Sequence, residues 1–168
     1  MKNTIIILDY GSQYTQLIAR KIRELEVHSI ILPYDYNPEK IKQYNIKGIV
    51  LSGGPSSVYE KDAPFLNKDI FSYNVPVFGI CYGFQLLVKY FDGIVESSKK
   101  AEYGSSNIIF TTESKLFNKI KSNNTVWMSH GDKVSKVPSN WNITSESENK
   151  IVSSAENHDD KVYGVQFH

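Results

Sequence analysis

The chain contains one cysteine, Cys81, and it lies between two glycines in Gly79-Ile80-Cys81-Tyr82-Gly83. The apolar run 75–80 before it reads as a buried strand. After it, Phe84, Leu87, Val88 and Phe91 recur at helical spacing. A cysteine between a strand and a helix, in a Gly-x-Cys-x-Gly setting, has the pattern of a nucleophile elbow. The flanking glycines allow a turn too tight for side chains at those positions. The thiol then sits at the first turn of a helix, where unpaired N–H groups and the helix dipole favour a thiolate. A buried cysteine that merely packs is the bland alternative, but packing gives no reason for two flanking glycines.

A cysteine nucleophile needs a proton-transfer partner. Of the four histidines, His28 precedes a strand and reads as surface or packing, and His158 lies in the solvated turn Glu156-Asn157-His158-Asp159-Asp160. His130, in Met128-Ser129-His130-Gly131-Asp132, and His168, in Gly164-Val165-Gln166-Phe167-His168, both sit at strand ends, where sites form in α/β sheets. Position alone leaves the two as equal candidates. A tetrahedral intermediate also needs backbone N–H donors for its oxyanion. The residue after the nucleophile, Tyr82, supplies one in an elbow, and Ser52-Gly53-Gly54-Pro55, directly after an apolar strand, supplies a second candidate. The glycine pair is no phosphate loop, since neither Gly-Lys-Ser/Thr nor Gly-x-Gly-x-x-Gly occurs there. The histidines lack metal-ligand spacing, so no metal site is expected.

The elements that must position these groups alternate along the first half of the chain. Strands are expected at 4–8, 27–32, 48–51 and 75–80. A helix carries Leu17, Ile18, Lys21, Ile22 and Leu25 with Ser12 or Thr15 as N-cap, and helical segments are expected at 38–44 and 64–73. That alternation predicts a mostly parallel central sheet with helices on both faces. Beyond Gly93 the pattern changes to short strands at 106–110, 125–128, 141–146, 151–155 and 162–167, which predicts a smaller antiparallel extension. With 168 residues and no repeat, low-complexity segment or linker, one domain is expected. A net charge of +1 gives no field that would favour nucleic acid or an anionic membrane. The single cysteine fits a reducing compartment, and no apolar run is long enough for a signal peptide or a membrane span. A cytoplasmic location is the expectation.

Taken together, the motifs resemble the class I (triad-type) glutamine amidotransferase domain, with its flavodoxin-like fold, and within that family the branch found in GMP synthetase. The resemblance covers essentially the whole chain. Leu51-Ser52-Gly53-Gly54-Pro55, Gly79-Ile80-Cys81-Tyr82-Gly83-Phe84-Gln85 and Gly164-Val165-Gln166-Phe167-His168 are similar to the class at large. Asp9-Tyr10-Gly11-Ser12-Gln13-Tyr14 and Trp127-Met128-Ser129-His130-Gly131-Asp132-Lys133 are similar to the GMP synthetase branch. The resemblance implies Cys81 as the nucleophile on the side-chain amide carbon of L-glutamine, and His168 rather than His130 as the catalytic histidine. It implies an oxyanion hole at Gly54 and Tyr82. Gln85, Ser129, His130 and Gly131 would hold the amino-acid end of the substrate. Asp132 and Glu102 would orient a loop or meet a partner domain. No cofactor is implied for the glutaminase domain; ATP and magnesium belong to the ATP pyrophosphatase (synthetase) domain, which would use the ammonia to aminate XMP to GMP.

Two departures bear on these expectations. Family members continue Pro-Glu after the histidine, and that Glu is the third triad member, whereas this chain stops at His168. It is therefore expected to be truncated, with the synthetase domain on the same chain or on a separate one. In addition, Ala101-Glu102-Tyr103-Gly104 stands where the family has Arg before Glu, with Lys99 and Lys100 as substitutes for the charge. The alternative readings are an amidotransferase of another pathway, a free-standing hydrolase of γ-glutamyl bonds, and a low-activity interaction module.

Overall fold

The computed structural model of the chain describes residues 1–120 and 123–168, without the side chains of Lys99 and Lys100. The architecture is set by strand β1, Asn3–Asp9, whose β-branched run Ile5-Ile6-Ile7 favours a pleated, doubly buried strand. It pairs in parallel with β2, His28–Pro33, on one side and β3, Asn45–Leu51, on the other. β4, Val77–Ile80, and β9, Val162–Val165, continue the parallel part. β8, Val152–Asn157, and β7, Asn142–Ser147, then turn antiparallel, followed by β5, Ile94–Phe110, and β6, Asn123–Lys136. The result is a nine-stranded sheet in the order β2-β1-β3-β4-β9-β8-β7-β5-β6.

Period-two alternation sends neighbouring side chains of one strand to opposite faces. Ile6 and Leu8 join the larger core with Phe84, Leu87 and Val88, whereas Ile7 joins Val50 and Ala19 on the other face. Helix α2, Tyr82–Tyr90, therefore covers one face and helix α1, Thr15–Glu24, covers the other, as the alternation predicts. Among the described residues no helix is long and apolar enough to cross a membrane.

Local expectations are corrected in four places. The N-cap of α1 is Tyr14, without a side-chain cap bond. Thr15 is already helical and its hydroxyl donates to Asp9 Oδ1 at 2.9 Å, while Ser12 Oγ accepts the Tyr14 N–H. The expected helix at 64–73 is only the 3-10 helix Lys68–Tyr73, because Asn67 caps a new turn by accepting the Asp69 N–H. The segment at 38–44 shortens to a 3-10 turn, Pro38–Ile41, capped likewise by Asn37. Finally, the antiparallel part is not built of short strands throughout. β5 and β6 are 17 and 14 residues long and form a two-stranded ribbon along most of their length. Its residues are mostly polar, so no hydrophobic alternation marks its extent. The charge substitution assigned to Lys99 and Lys100 lies outside the described side chains.

Close backbone approach fixes α2 on the sheet. A Cβ on Gly83 would come 2.5 Å from Leu51 O, and one on Gly164 would come 2.0 Å from Phe84 Cδ2. Both contacts are far inside van der Waals distance, and the latter neighbour is a ring locked in the core. Gly164→Ala is thus expected to destabilise the fold by about 1–3 kcal/mol through overpacking. A lower thermal midpoint in a melting experiment checks this, and an unchanged midpoint would show that Phe84 can move aside.

Candidate active site

The sharpest local constraint is the backbone of Cys81, at φ 52° and ψ −108°, a region that non-glycine residues rarely occupy. Such a conformation costs on the order of 1–3 kcal/mol and persists only where its surroundings over-determine it. Here the Cys81 N–H donates to Val165 O at 2.8 Å, its carbonyl accepts Gln85 N–H at 3.1 Å, and Gly83 N–H donates to Ser52 O at 3.2 Å. The ends of β3, β4 and β9 thus hold the elbow from below, and α2 begins at the next residue.

Cys81 lies at the base of a cavity of about 330 Å³, whose walls include Gly54, Tyr82, Gln85, Ser129, Gly131 and Asp132. The cavity brings together most of the residues that the sequence singles out. His130 and Tyr103 also line it. The backbone of Gly54 is pinned because a side chain there would come 2.3 Å from Tyr10 O.

His168 approaches Cys81 from a different side. A methyl group built on Gly53 would lie 3.2 Å from His168 Cε1 and 3.5 Å from Cys81 Cβ, so imidazole and thiol flank the same bare glycine. The His168 ring does not line the cavity. It borders an apolar groove that contains Tyr14, Leu17 and Trp127, and it packs on Tyr14 with 5.3 Å between ring centroids. Its backbone is tied to β6: His168 N–H donates to Trp127 O at 2.9 Å, and Trp127 N–H donates to His168 O at 3.4 Å.

The two candidate histidines are chemically unlike. His130 is buried, with Nδ1 2.7 Å from Asp132 O and Nε2 3.1 Å from Glu102 Oε2. Both of its ring nitrogens are engaged by acceptors, so neither has a lone pair available for a thiol proton. His168 has no ring hydrogen-bond partner among the described residues, and burial together with the nearby His130 pushes its pKa down. It is therefore the histidine able to receive a proton.

Burial corrects the expectation of a thiolate. Cys81 is 5% exposed, and desolvation pushes its thiol up to about 11, against smaller lowering effects from the Tyr82 backbone N–H and the Gln166 side chain. With the thiol raised and the imidazole lowered, the resting pair is neutral on both sides. The helix terminus does favour the anion, but burial away from water costs it more.

The sequence pattern left one participant unassigned. Gln166 is fully buried, and its Nε2 lies 3.5 Å from Cys81 Sγ. A polar residue in the apolar run Val162–Phe167, facing the core in place of a hydrophobe, is the signal that could have found it.

An open α/β sheet with a cysteine elbow, a glycine-walled cavity and a histidine across from the thiol is the arrangement of a thiol-dependent amidotransferase. Residues 6–168 match the family model for glutamine amidotransferase class-I, and the chain belongs to that family. Among its relatives is a protein named GMP synthase [glutamine-hydrolyzing] from Borrelia garinii subsp. bavariensis, 52% identical over 166 residues, an alignment covering 98% of this chain and 31% of that protein. A protein of the same name from Clostridium perfringens is 45% identical over 168 residues, covering 100% of this chain and 33% of that one. The chain thus spans about a third of the length of these relatives. A solved structure from Thermoplasma acidophilum, named for a GMP synthase component, superimposes with a TM-score of 0.87 at 27% identity, covering 100% of this chain and 84% of that one. A Thermotoga maritima glutamine amidotransferase at 22% identity and a TM-score of 0.80, covering 100% of this chain and 76% of that one, shares the fold.

The neutral thiol makes a direct prediction. Alkylation of Cys81 by iodoacetamide is expected to accelerate roughly tenfold per pH unit from about pH 7 to pH 10, as the thiolate fraction rises. A plateau reached below about pH 8 would instead reveal a preformed thiolate–imidazolium pair.

Proposed function

We propose that the chain hydrolyses the side-chain amide of L-glutamine and supplies the ammonia to a GMP-forming synthetase. The observation that carries this reading is the juxtaposition of Cys81, on its strained elbow, with a lone-pair-bearing His168 across Gly53. The matched relatives bear the name GMP synthase [glutamine-hydrolyzing] over the whole of this chain, which supports the assignment to that branch.

In the proposed reaction the Cys81 sulfur attacks the amide carbon while its proton passes to His168. The negative charge that develops on the amide oxygen is met by the backbone N–H groups of Gly54 and Tyr82. His168 returns the proton to the nitrogen, ammonia leaves, and a γ-glutamyl thioester remains on Cys81. Water, giving its proton to His168, then attacks the thioester carbon. The thiol is restored and glutamate departs. Because the resting pair is neutral, the proton moves only when substrate is in place. Gln85, Ser129 and Gly131 hold the amino-acid end. Both N–H groups of Gln85 are already spent, on Asp132 O and Gln166 Oε1, so the group it offers the substrate is its carbonyl oxygen, suited to an ammonium. Asp132 orients its loop, its carboxylate accepting from Ser57 Oγ. The product ammonia serves a synthetase domain that aminates XMP to GMP with ATP and magnesium, on the same chain or on a partner chain, in the cytoplasm.

Release of glutamate from L-glutamine by this chain tests the proposal. Cys81→Ala is expected to lower turnover to background, and His168→Ala to lower it by at least about 10³-fold, by analogy with removal of a general base from a triad. Glutamate release that survives in Cys81→Ala would exclude the thioester route.

A further inference from the structure

A continuous line of buried polar groups runs from Cys81 to the turn after β7. Gln166 Nε2 faces Cys81 Sγ at 3.5 Å, and Gln85 Nε2 donates to Gln166 Oε1 at 3.0 Å and to Asp132 O at 3.1 Å. Asp132 O also faces His130 Nδ1 at 2.7 Å, and His130 Nε2 faces Glu102 Oε2 at 3.1 Å. Glu102 Oε1 accepts from Ser147 Oγ and Asn149 Nδ2, both at 2.9 Å. The side chains of Gln166, Gln85, His130, Glu102 and Ser147 are at least nine-tenths buried, so the bonds these side chains make to one another lie where water competes poorly.

The direction of this chain is fixed at one atom. Asp132 O is a backbone carbonyl and can only accept. Gln85 must therefore turn its NH₂ toward it, and the same NH₂ requires Gln166 to present its carbonyl oxygen. Gln166 is then left with its NH₂ toward the sulfur. On the other branch His130 Nδ1 must carry hydrogen. Its Nε2 faces a carboxylate whose other oxygen already receives two donors, so a proton must lie between them as well.

Resting on the functional reading above, we propose that Glu102 and His130 are positioning residues of the active site. As a hydrogen-bonded pair they anchor the Asp132 carbonyl through His130 Nδ1–H, and through Gln85 and Gln166 that carbonyl keeps a hydrogen-bond donor aimed at the Cys81 sulfur. The arrangement favours the anionic sulfur that forms when the proton leaves for His168. It also keeps the oxygen of Gln166, which would repel that sulfur, turned away.

Because Cys81 is the only cysteine, its alkylation reports on the chain without any turnover. The probe is iodoacetamide at pH 8, read by mass, alongside kcat and KM for glutamine hydrolysis. His130→Leu and Gln166→Leu are expected to slow alkylation about tenfold, the equivalent of one pKa unit at the sulfur. His130→Asn, whose amide nitrogen can take the place of Nδ1, is expected to stay within about threefold of the parent. In hydrolysis the Leu variants are expected to lose kcat with little change in KM. Leu variants that keep the parental near-UV spectrum and the parental alkylation rate would overturn the proposal. Nitrogen-15 spectra of the unmutated chain give a test that survives misfolded variants: a protonated Nδ1 on His130, facing the Asp132 carbonyl, is expected, and a bare Nδ1 would refute it. Should the alkylation order hold in a chain that never releases glutamate, the functional reading falls and the positioning network stands.

Discussion

The site depends on the left-handed backbone of Cys81. That conformation raises the thiol out of the sheet at the point where β4 ends, and no single neighbour could hold it. It survives because Ser52, directly after β3, receives the Gly83 N–H, β9 receives the Cys81 N–H, and α2 starts at once, satisfying the Cys81 carbonyl. Each of these partners is itself fixed by a contact that excludes a side chain, as at Gly83 against Leu51 and at Gly164 against Phe84. The energy stored at the elbow is thus drawn from packing across several strands. The remaining site residues are arranged around a sulfur whose position is already set.

The long ribbon β5–β6 completes the site from above. Its Trp127 exchanges backbone hydrogen bonds with His168, its Ser129 carbonyl stands 3.8 Å from the sulfur, and its Glu102 and His130 face each other in register. One ribbon therefore sets the histidine, one wall of the cavity and the far end of the polar network. The period of a strand is two residues, so a slip of one would turn His130 outward and Trp127 inward together. Burial of the hydrogen-bonded His130–Glu102 pair on one face and exposure of Trp127 on the other oppose such a slip.

Much of the parallel half was legible in the sequence because its strands are continuous apolar runs bounded by glycine and proline, and its helices carry clear 3.6-residue spacing. The ribbon was not legible as long strands, since residues such as Glu96, Lys99, Asn107 and Lys133 hide any alternation. The start of α1 was misplaced because the Thr15 hydroxyl is taken up by Asp9, leaving Tyr14 as an N-cap without a side-chain bond. Within the site, Cys81, Gly54 and Tyr82 were singled out because a cysteine elbow and a glycine pair after a strand are recognisable in sequence, and the structure places all three around one cavity. Pattern alone left His130 and His168 level; the family resemblance favoured His168, and the ring-nitrogen partners supply a physical reason for that choice, while Gln166 needed its burial. The thiol's protonation was misjudged because a helix terminus can be read from sequence while the dryness of its surroundings cannot.

The raised thiol has a consequence for chemical durability. Peroxides and other oxidants attack thiolates far faster than thiols, and the path from sulfenic to sulfinic acid ends activity for good. A sulfur that is 5% exposed and protonated at rest offers such reagents little to react with. These 168 residues hold no second cysteine to cap an oxidised sulfur as a disulfide. Staying protonated and enclosed at rest is then the sulfur's main protection, and the slow resting reactivity of Cys81 doubles as a form of shelf life.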